Sequence, residues 1–170
     1  MSNKTVENLK AAFAGESQAR NKYTFFASVA RKEGWLELAE VFEETARNEK
    51  EHAEIIYKLL KGIGDSKFNL GEAIAGETYE YHDMYPEFAR VAKEEGQLEA
   101  AKYFDEVAKV EKFHAERYQQ LLENLEAGTL LKKANPTKWQ CRECGYIVDG
   151  LEPPVKCPLC AHSKEYYKPI

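Results

Sequence analysis

The sequence predicts a mainly α protein: a four-helix bundle followed by a small domain too short to fold without a staple. Three observations carry this. Apolar residues recur at helical spacing from about Thr5 to Leu125. That pattern is interrupted at only three places, Gly34, Lys61–Ser66 and Gly96. After Leu131 the helical period is lost, and all four cysteines of the chain follow within a short Pro-, Gly- and aromatic-rich tail.

The periodicity predicts helices over roughly 3–32, 35–61, 70–94 and 97–126. Gly34, in Lys-Glu-Gly, and Gly96, in Glu-Glu-Gly, read as tight turns between antiparallel helices. The longer break Lys61-Gly62-Ile63-Gly64-Asp65-Ser66 has room for a crossover, or for a hinge that exchanges helix pairs between subunits. Lys132 to Pro136 is a linker, so the expected division is a bundle over 1–131, a linker over 132–136 and a tail domain over 137–170.

The two helical halves form an internal repeat. Leu9 and Ala14-Gly15-Glu16 match Leu70 and Ala75-Gly76-Glu77 at an offset of 61. From Phe26/Phe88 onward the offset is 62, and it holds through Gly34/Gly96, Phe42/Phe104, Glu49/Glu111 and His52/His114. The second half therefore carries one extra residue between Glu77 and Phe88. A single residue inserted in a helix is most simply absorbed as a π-type bulge, which is expected between Glu80 and Phe88. Pro86 lies in that interval and lacks a backbone N–H, which suits a local irregularity.

The repeat carries chemistry. Glu49/His52 and Glu111/His114 are two Glu-x-x-His pairs, and residues three apart on a helix share one face. Glu16 and Glu77 sit on the apolar stripes of the preceding helices, as do Glu49 and Glu111 on theirs. Counted from the turns, Glu16 lies 18 residues before Gly34 and Glu49 15 after it; Glu77 lies 19 before Gly96 and Glu111 15 after it. At about 1.5 Å per residue, all six side chains converge on one layer of the bundle. Burying four ionised carboxylates together is untenable without cations. Two Glu-x-x-His pairs, each with a further Glu, are the ligand pattern of a carboxylate-bridged di-metal site in a four-helix bundle, and mixed carboxylate and imidazole donors suit iron or manganese, with zinc a further fit. Glu80 breaks the symmetry: it stands one turn after Glu77, where the first half has Ala19. It reads as a fifth carboxylate able to compete with His52. Tyr23 and Tyr85 flank the site, and Tyr23 is a candidate redox residue.

Cys141-x-x-Cys144 and Cys157-x-x-Cys160 have the spacing of two metal knuckles. Four thiolates make a closed tetrahedral site for iron or zinc. Iron there transfers single electrons; zinc would be structural. Trp139, Tyr146, Tyr166 and Tyr167 are available for a small aromatic core.

Composition bounds the rest. The 170 residues carry a net charge of −5 with no basic block, which argues against nucleic acid. No apolar run approaches the roughly 18–20 residues of a membrane span, and Met1 to Lys10 has no apolar signal core. Knuckle cysteines without an export signal suggest a reducing, cytoplasmic location.

This order of motifs, over essentially the whole chain, resembles the rubrerythrin family: a ferritin-like di-iron bundle followed by a rubredoxin-like domain. The resemblance implies that Glu16, Glu49, His52, Glu77, Glu80, Glu111 and His114 are di-iron ligands. Glu49 and Glu111 would bridge, and His52 and Glu80 would exchange with redox state. Cys141, Cys144, Cys157 and Cys160 would hold a third iron. It further implies a homodimer, with the tail of one subunit facing the di-iron site of the other. The implied activity is a peroxidase reducing hydrogen peroxide to water. Its electrons come from NAD(P)H through a reductase, with rubredoxin as a carrier. Two other classes of function fit the residues less fully: a ferroxidase or iron-handling protein, which has no need of an electron-input tail, and a non-enzymatic electron-transfer module with a zinc ribbon.

Overall fold

The computed structural model describes residues 3–170. It divides into two compact units, one ending at Asp65 and one running from Ser66 to Ile170.

The first unit is an antiparallel hairpin of α1 (Asn3–Lys32) and α2 (Leu36–Leu59). Gly34 ends α1 with φ +87°, a conformation that costs a side-chain-bearing residue about 1–2 kcal/mol. The cap is closed by the Trp35 amide donating to the Ala30 carbonyl at 2.9 Å. Small residues let the helices approach closely: Ala27, Ala30 and Ala39 are buried together, with Phe42 packed against them. α2 stops two residues short of the expected end, because Lys61 turns left-handed and the Gly62 amide caps the Tyr57 carbonyl at 3.0 Å.

The second unit repeats the plan with one difference. α3 (Ser66–Tyr79), a π-helical turn (Glu80–Met84) and α4 (Tyr85–Glu94) form one continuous rod, antiparallel to α5 (Leu98–Glu126). α3 opens four residues earlier than the apolar periodicity suggests. Asp65 is a residue type favoured at a helix N-cap, and that start signal precedes the first periodic residue. The π-turn is the expected irregularity: the Tyr85 amide donates to Glu80, five residues back. The extra residue is thus taken up without breaking the rod, and Pro86 follows at the start of α4, where its missing N–H costs little. Beyond the turn the repeat is restored closely. Gly96 has φ +73°, and the Gln97 amide donates to the Ala92 carbonyl at 2.8 Å. Tyr23 and Phe42 stack at 6.2 Å in the first unit, Tyr85 and Phe104 at 6.0 Å in the second. Exposed ion pairs also recur, Arg31 with Glu43 at 2.6 Å and Lys93 with Asp105 at 2.8 Å.

The tail is an antiparallel sheet ordered β2-β1-β3, with β1 (Thr137–Cys141), β2 (Ile147–Gly150) and β3 (Tyr167–Pro169). Its core is Trp139, Cys141, Cys157 and Tyr167, with Leu131, Val148 and the other two cysteines packed around it. Trp139 Nε1 donates to the Gly150 carbonyl at 3.0 Å. Of the four aromatics expected inside, Tyr146 and Tyr166 lie outside, 38% and 41% exposed. β1 pairs Cys141 with Tyr167, so Tyr167 rather than its neighbour turns inward. Among the described residues no helix is long and apolar enough to cross a membrane.

Candidate metal centres

Three clusters of metal-competent side chains form, and they contain ten of the predicted site residues. The first lies across the α1–α2 hairpin. Glu16 from α1 meets Glu49 and His52 from α2, one helical turn apart. His52 Nδ1 is 2.9 Å from Glu49 Oε2 and 3.8 Å from Glu16 Oε2. Glu16 is held above the ordinary carboxylate range, first by its hydrogen bond to Glu49 and then by burial and the Glu49 charge. Glu49 is correspondingly lowered by accepting from Glu16 and then by His52.

The second cluster is the same construction on the other rod pair. Glu77 from α3 meets Glu111 and His114 from α5; His114 Nδ1 is 2.6 Å from Glu111 Oε2 and 3.6 Å from Glu77 Oε2. Glu77 is also raised, here by burial first and then by its hydrogen bond to Glu111 and that residue's charge. The units differ in exposure at histidine: the His52 side chain is 55% exposed and that of His114 33%.

These donor sets suit a metal. In each, the ligand atoms lie within 4.8 Å of one another. Carboxylates held this close raise one another's affinity for protons, as the upward shifts of Glu16 and Glu77 show, and a cation would relieve that repulsion.

Glu80 is placed outside both clusters. It is half-buried at the first position of the π-turn, and its charge contributes to the rise of Glu77 and, after burial, to that of the Tyr85 hydroxyl. Tyr23 lies two turns along α1 from Glu16, with its ring stacked on Phe42.

The third cluster is Cys141, Cys144, Cys157 and Cys160. All four are free thiols. Cys141 and Cys160 sulfurs are 3.7 Å apart, and those of Cys144 and Cys157 3.5 Å. Four thiolates at about 2.3 Å from a central ion sit about 3.8 Å apart in a tetrahedron, so the spacing matches a metal and is far too long for a disulfide. The knuckles are built alike. Gly145 and Ala161 take positive φ, and their amides return to the Cys141 and Cys157 carbonyls at 2.9 Å each. The thiols differ in acidity. Burial opposes ionisation of Cys157, but the Tyr167 hydroxyl and the Cys160 and Leu159 amides together bring it down to about 6. At Cys160 the His162 amide favours the thiolate, yet burial and the facing sulfurs outweigh it and push the thiol up to about 12. One ready thiolate beside reluctant thiols is the pattern expected where a cation is to displace protons.

Two neighbours of this site carry polar groups that the ligand motifs alone do not reveal. His162 Nδ1 lies 3.3 Å from Cys160 Sγ, and its ring lies 4.6 Å from that of Tyr166. Tyr167 is buried, and its hydroxyl oxygen has no partner of full hydrogen-bond geometry. The Tyr166-Tyr167 doublet was the only sequence signal for the latter.

Known proteins place this architecture. Residues 7–122 match the family model for rubrerythrin, and residues 139–168 that for the rubredoxin-like domain of rubrerythrin. The chain is 46% identical to rubrerythrin of Porphyromonas gingivalis, over 98% of this chain and 90% of that protein. It is 41% identical to rubrerythrin of Nitratidesulfovibrio vulgaris, over 97% of this chain and 93% of the relative. Among solved structures, nigerythrin in a mixed-valence state is 36% identical over all of this chain and 88% of that one, with a TM-score of 0.38.

Proposed function

Because the chain belongs to the rubrerythrin family of di-iron proteins, we propose that it is a peroxidase that reduces hydrogen peroxide to water. The balance is one peroxide, two electrons and two protons to two waters, with the electrons drawn from NAD(P)H through a reductase and rubredoxin. The observation that carries this reading is the presence, in one chain, of two matched Glu/Glu/His clusters and a four-cysteine site. The first pair suits a two-electron centre, and the last suits a one-electron relay.

When bound, iron supplies the electron pair that cleaves the O–O bond at the first two clusters and passes electrons singly at the third. The residues do the rest. By the family resemblance, Glu16, Glu49 and His52, with Glu77, Glu111 and His114, would hold the di-iron centre, Glu49 and Glu111 as its shared ligands. Glu16 and Glu77 would bind as carboxylates. His52, the more exposed histidine, would be the ligand given up on oxidation, and Glu80 the carboxylate that would take its place. An anionic oxygen is preferred over a neutral imidazole as charge at the site rises on oxidation. Tyr23, two turns along α1 from Glu16, is the candidate hydrogen or electron donor. Cys141, Cys144, Cys157 and Cys160 hold the relay iron, making three irons per chain.

A homodimer, with helix pairs exchanged or not, is part of the same reading. Each unit leaves matched apolar side chains uncovered, Phe26 and Phe88, Leu36 and Leu98, Val41 and Tyr103, and such surface favours burial against another helical hairpin. The proposed domains are 1–131 and 137–170 joined by 132–136, supported by the end of α5 at Glu126 and the start of β1 at Thr137. Four free thiols at a metal-type site fit the reducing cytoplasm.

Iron analysis, a visible spectrum and an anaerobic peroxide-consumption assay test this reading. It expects a red protein that consumes peroxide when supplied with NAD(P)H, a rubredoxin reductase and rubredoxin. A colourless, zinc-only tail, or peroxide left unreduced by the iron-loaded protein, would overturn it.

A further inference from the structure

The Tyr167 hydroxyl is the one buried side-chain oxygen or nitrogen without a full hydrogen bond among the described residues. Such an orphan costs about 1–3 kcal/mol unless a partner arrives. Tyr167 is only 2% exposed, so water is not that partner. It is packed in one cluster with Cys141 and Cys157, and after burial the Cys157 side chain is the largest influence holding its hydroxyl above the ordinary tyrosine range. A thiol sulfur is a weak acceptor, whereas a metal-bound thiolate is a strong one. The orphan is therefore explained by the loaded state.

We propose that the Tyr167 hydroxyl donates a hydrogen bond to the Cys157 thiolate of the iron-loaded tail and thereby raises the reduction potential of that iron. Tyr167 is a positioning residue, not a ligand. Reduction adds one electron to the Fe3+ form and makes the iron and its four thiolates one unit more negative; no bond breaks and no proton is required. A donor aimed at a sulfur stabilises the more negative, reduced form in preference. In a site this enclosed the preference is not diluted by water. The consequence is an electron acceptor that is filled more readily by its donor. The backbone amides that also reach these sulfurs come with any pair of knuckles. The hydroxyl depends on this side chain alone, so it is a separable contribution.

This rests on iron occupying the four-cysteine site, and the test separates the two claims. The full-length, iron-loaded protein is compared with Tyr167→Phe, which removes one oxygen and keeps the ring in the core, and with Tyr166→Phe, whose ring is 41% exposed. The potential is read by mediated spectroelectrochemical titration of the red chromophore, with a one-electron dye as reductant. Tyr167→Phe should lower the potential by roughly a tenfold change in the reduced-to-oxidised ratio, about 59 mV for one electron. Its charge-transfer band should shift while its iron content stays at the wild-type level. Tyr166→Phe should match the wild type. A red Tyr167→Phe protein with the wild-type potential overturns the proposal; a wild type without red iron overturns the reading beneath it. Should Tyr167→Phe fail to fold, 113Cd-substituted wild-type protein gives the answer by NMR. A slowly exchanging tyrosine hydroxyl proton coupled to cadmium through Cys157 supports the hydrogen bond, and a rapidly exchanging hydroxyl proton excludes it.

Discussion

The two helical units are copies of one plan, and their single difference is where the chemistry becomes unequal. Both close with the same cap at a positive-φ glycine, both stack a tyrosine on the equivalent phenylalanine, and both bring a Glu from the first helix against a Glu-x-x-His on the second. Only the second contains a π-turn, at Glu80–Met84. The inserted residue leaves the Glu/Glu/His cluster and the glycine cap intact and changes the segment between them. That segment begins with Glu80, a carboxylate with no counterpart in the first unit. Proteins thus acquire asymmetry at a duplicated site with little damage: a π-turn absorbs a register change that would otherwise rotate half the helix off its packing face.

The largest expected effect comes from removing what the two units share. Glu49→Ala and Glu111→Ala should each lower iron from three per chain toward one, with peroxidase rates down on the order of 100-fold or more; metal analysis beside the visible spectrum reads this, since the red tail iron should persist. Next is removal of the difference itself. Glu80→Ala should keep its iron and lose about 10- to 100-fold in peroxide turnover. Deleting His82, which makes the second unit match the first in length, should do the same. Wild-type turnover in either variant would end the idea that His52 and Glu80 alternate.

A third comparison uses pH in the metal-free protein. A carboxyl held above its unfolded value stabilises the fold fully below that unfolded value and loses this contribution as pH rises through the folded one. Glu77 is of this kind. Metal-free Glu77→Gln should therefore melt higher than metal-free wild type at pH 7, and the two should converge below pH 4.5, where the protonated acid resembles the amide. Glu49 is shifted the other way, so its contribution is present above the unfolded value and lost as pH falls through the lowered one. Glu49→Gln should melt lower than wild type at pH 7. Melting curves across pH check both signs. The smallest effect lies in the tail, where the paired knuckles also differ at the residue after their second cysteine. Ala161 holds φ +61° where the other knuckle has Gly145 at +78°, and Ala161→Gly should stabilise the tail by about 1 kcal/mol, seen as a higher melting temperature of the loaded protein.

Much of this was legible in the sequence because the relevant rules are local. Glu-x-x-His puts two ligands on one helix face regardless of context, and the change of offset from 61 to 62 announces an inserted residue. What was not legible depends on pairings that spacing does not encode. The interval for the bulge ran from Glu80 to Phe88, and only the backbone hydrogen bonds place it at Glu80–Met84. α3 begins at Ser66, four residues before the apolar repeat, and Asp65 just ahead of it is a residue type favoured at helix N-caps. In the tail, strands of three to five residues carry too little alternation to orient their side chains. The Cys141–Tyr167 pairing decides that Tyr167 is inside and Tyr166 outside, and with it which ring packs beside Cys141 and Cys157.

The oxidant distinguishes a peroxidase from a ferroxidase most directly. The iron-loaded protein, fully reduced without oxygen, is mixed in a stopped-flow instrument with one equivalent of hydrogen peroxide and, separately, with dioxygen. Peroxide should oxidise the paired iron rapidly, two electrons per peroxide, and dioxygen should do so far more slowly. Oxidation by dioxygen at an equal or greater rate would contradict the peroxidase reading and point to a ferroxidase instead.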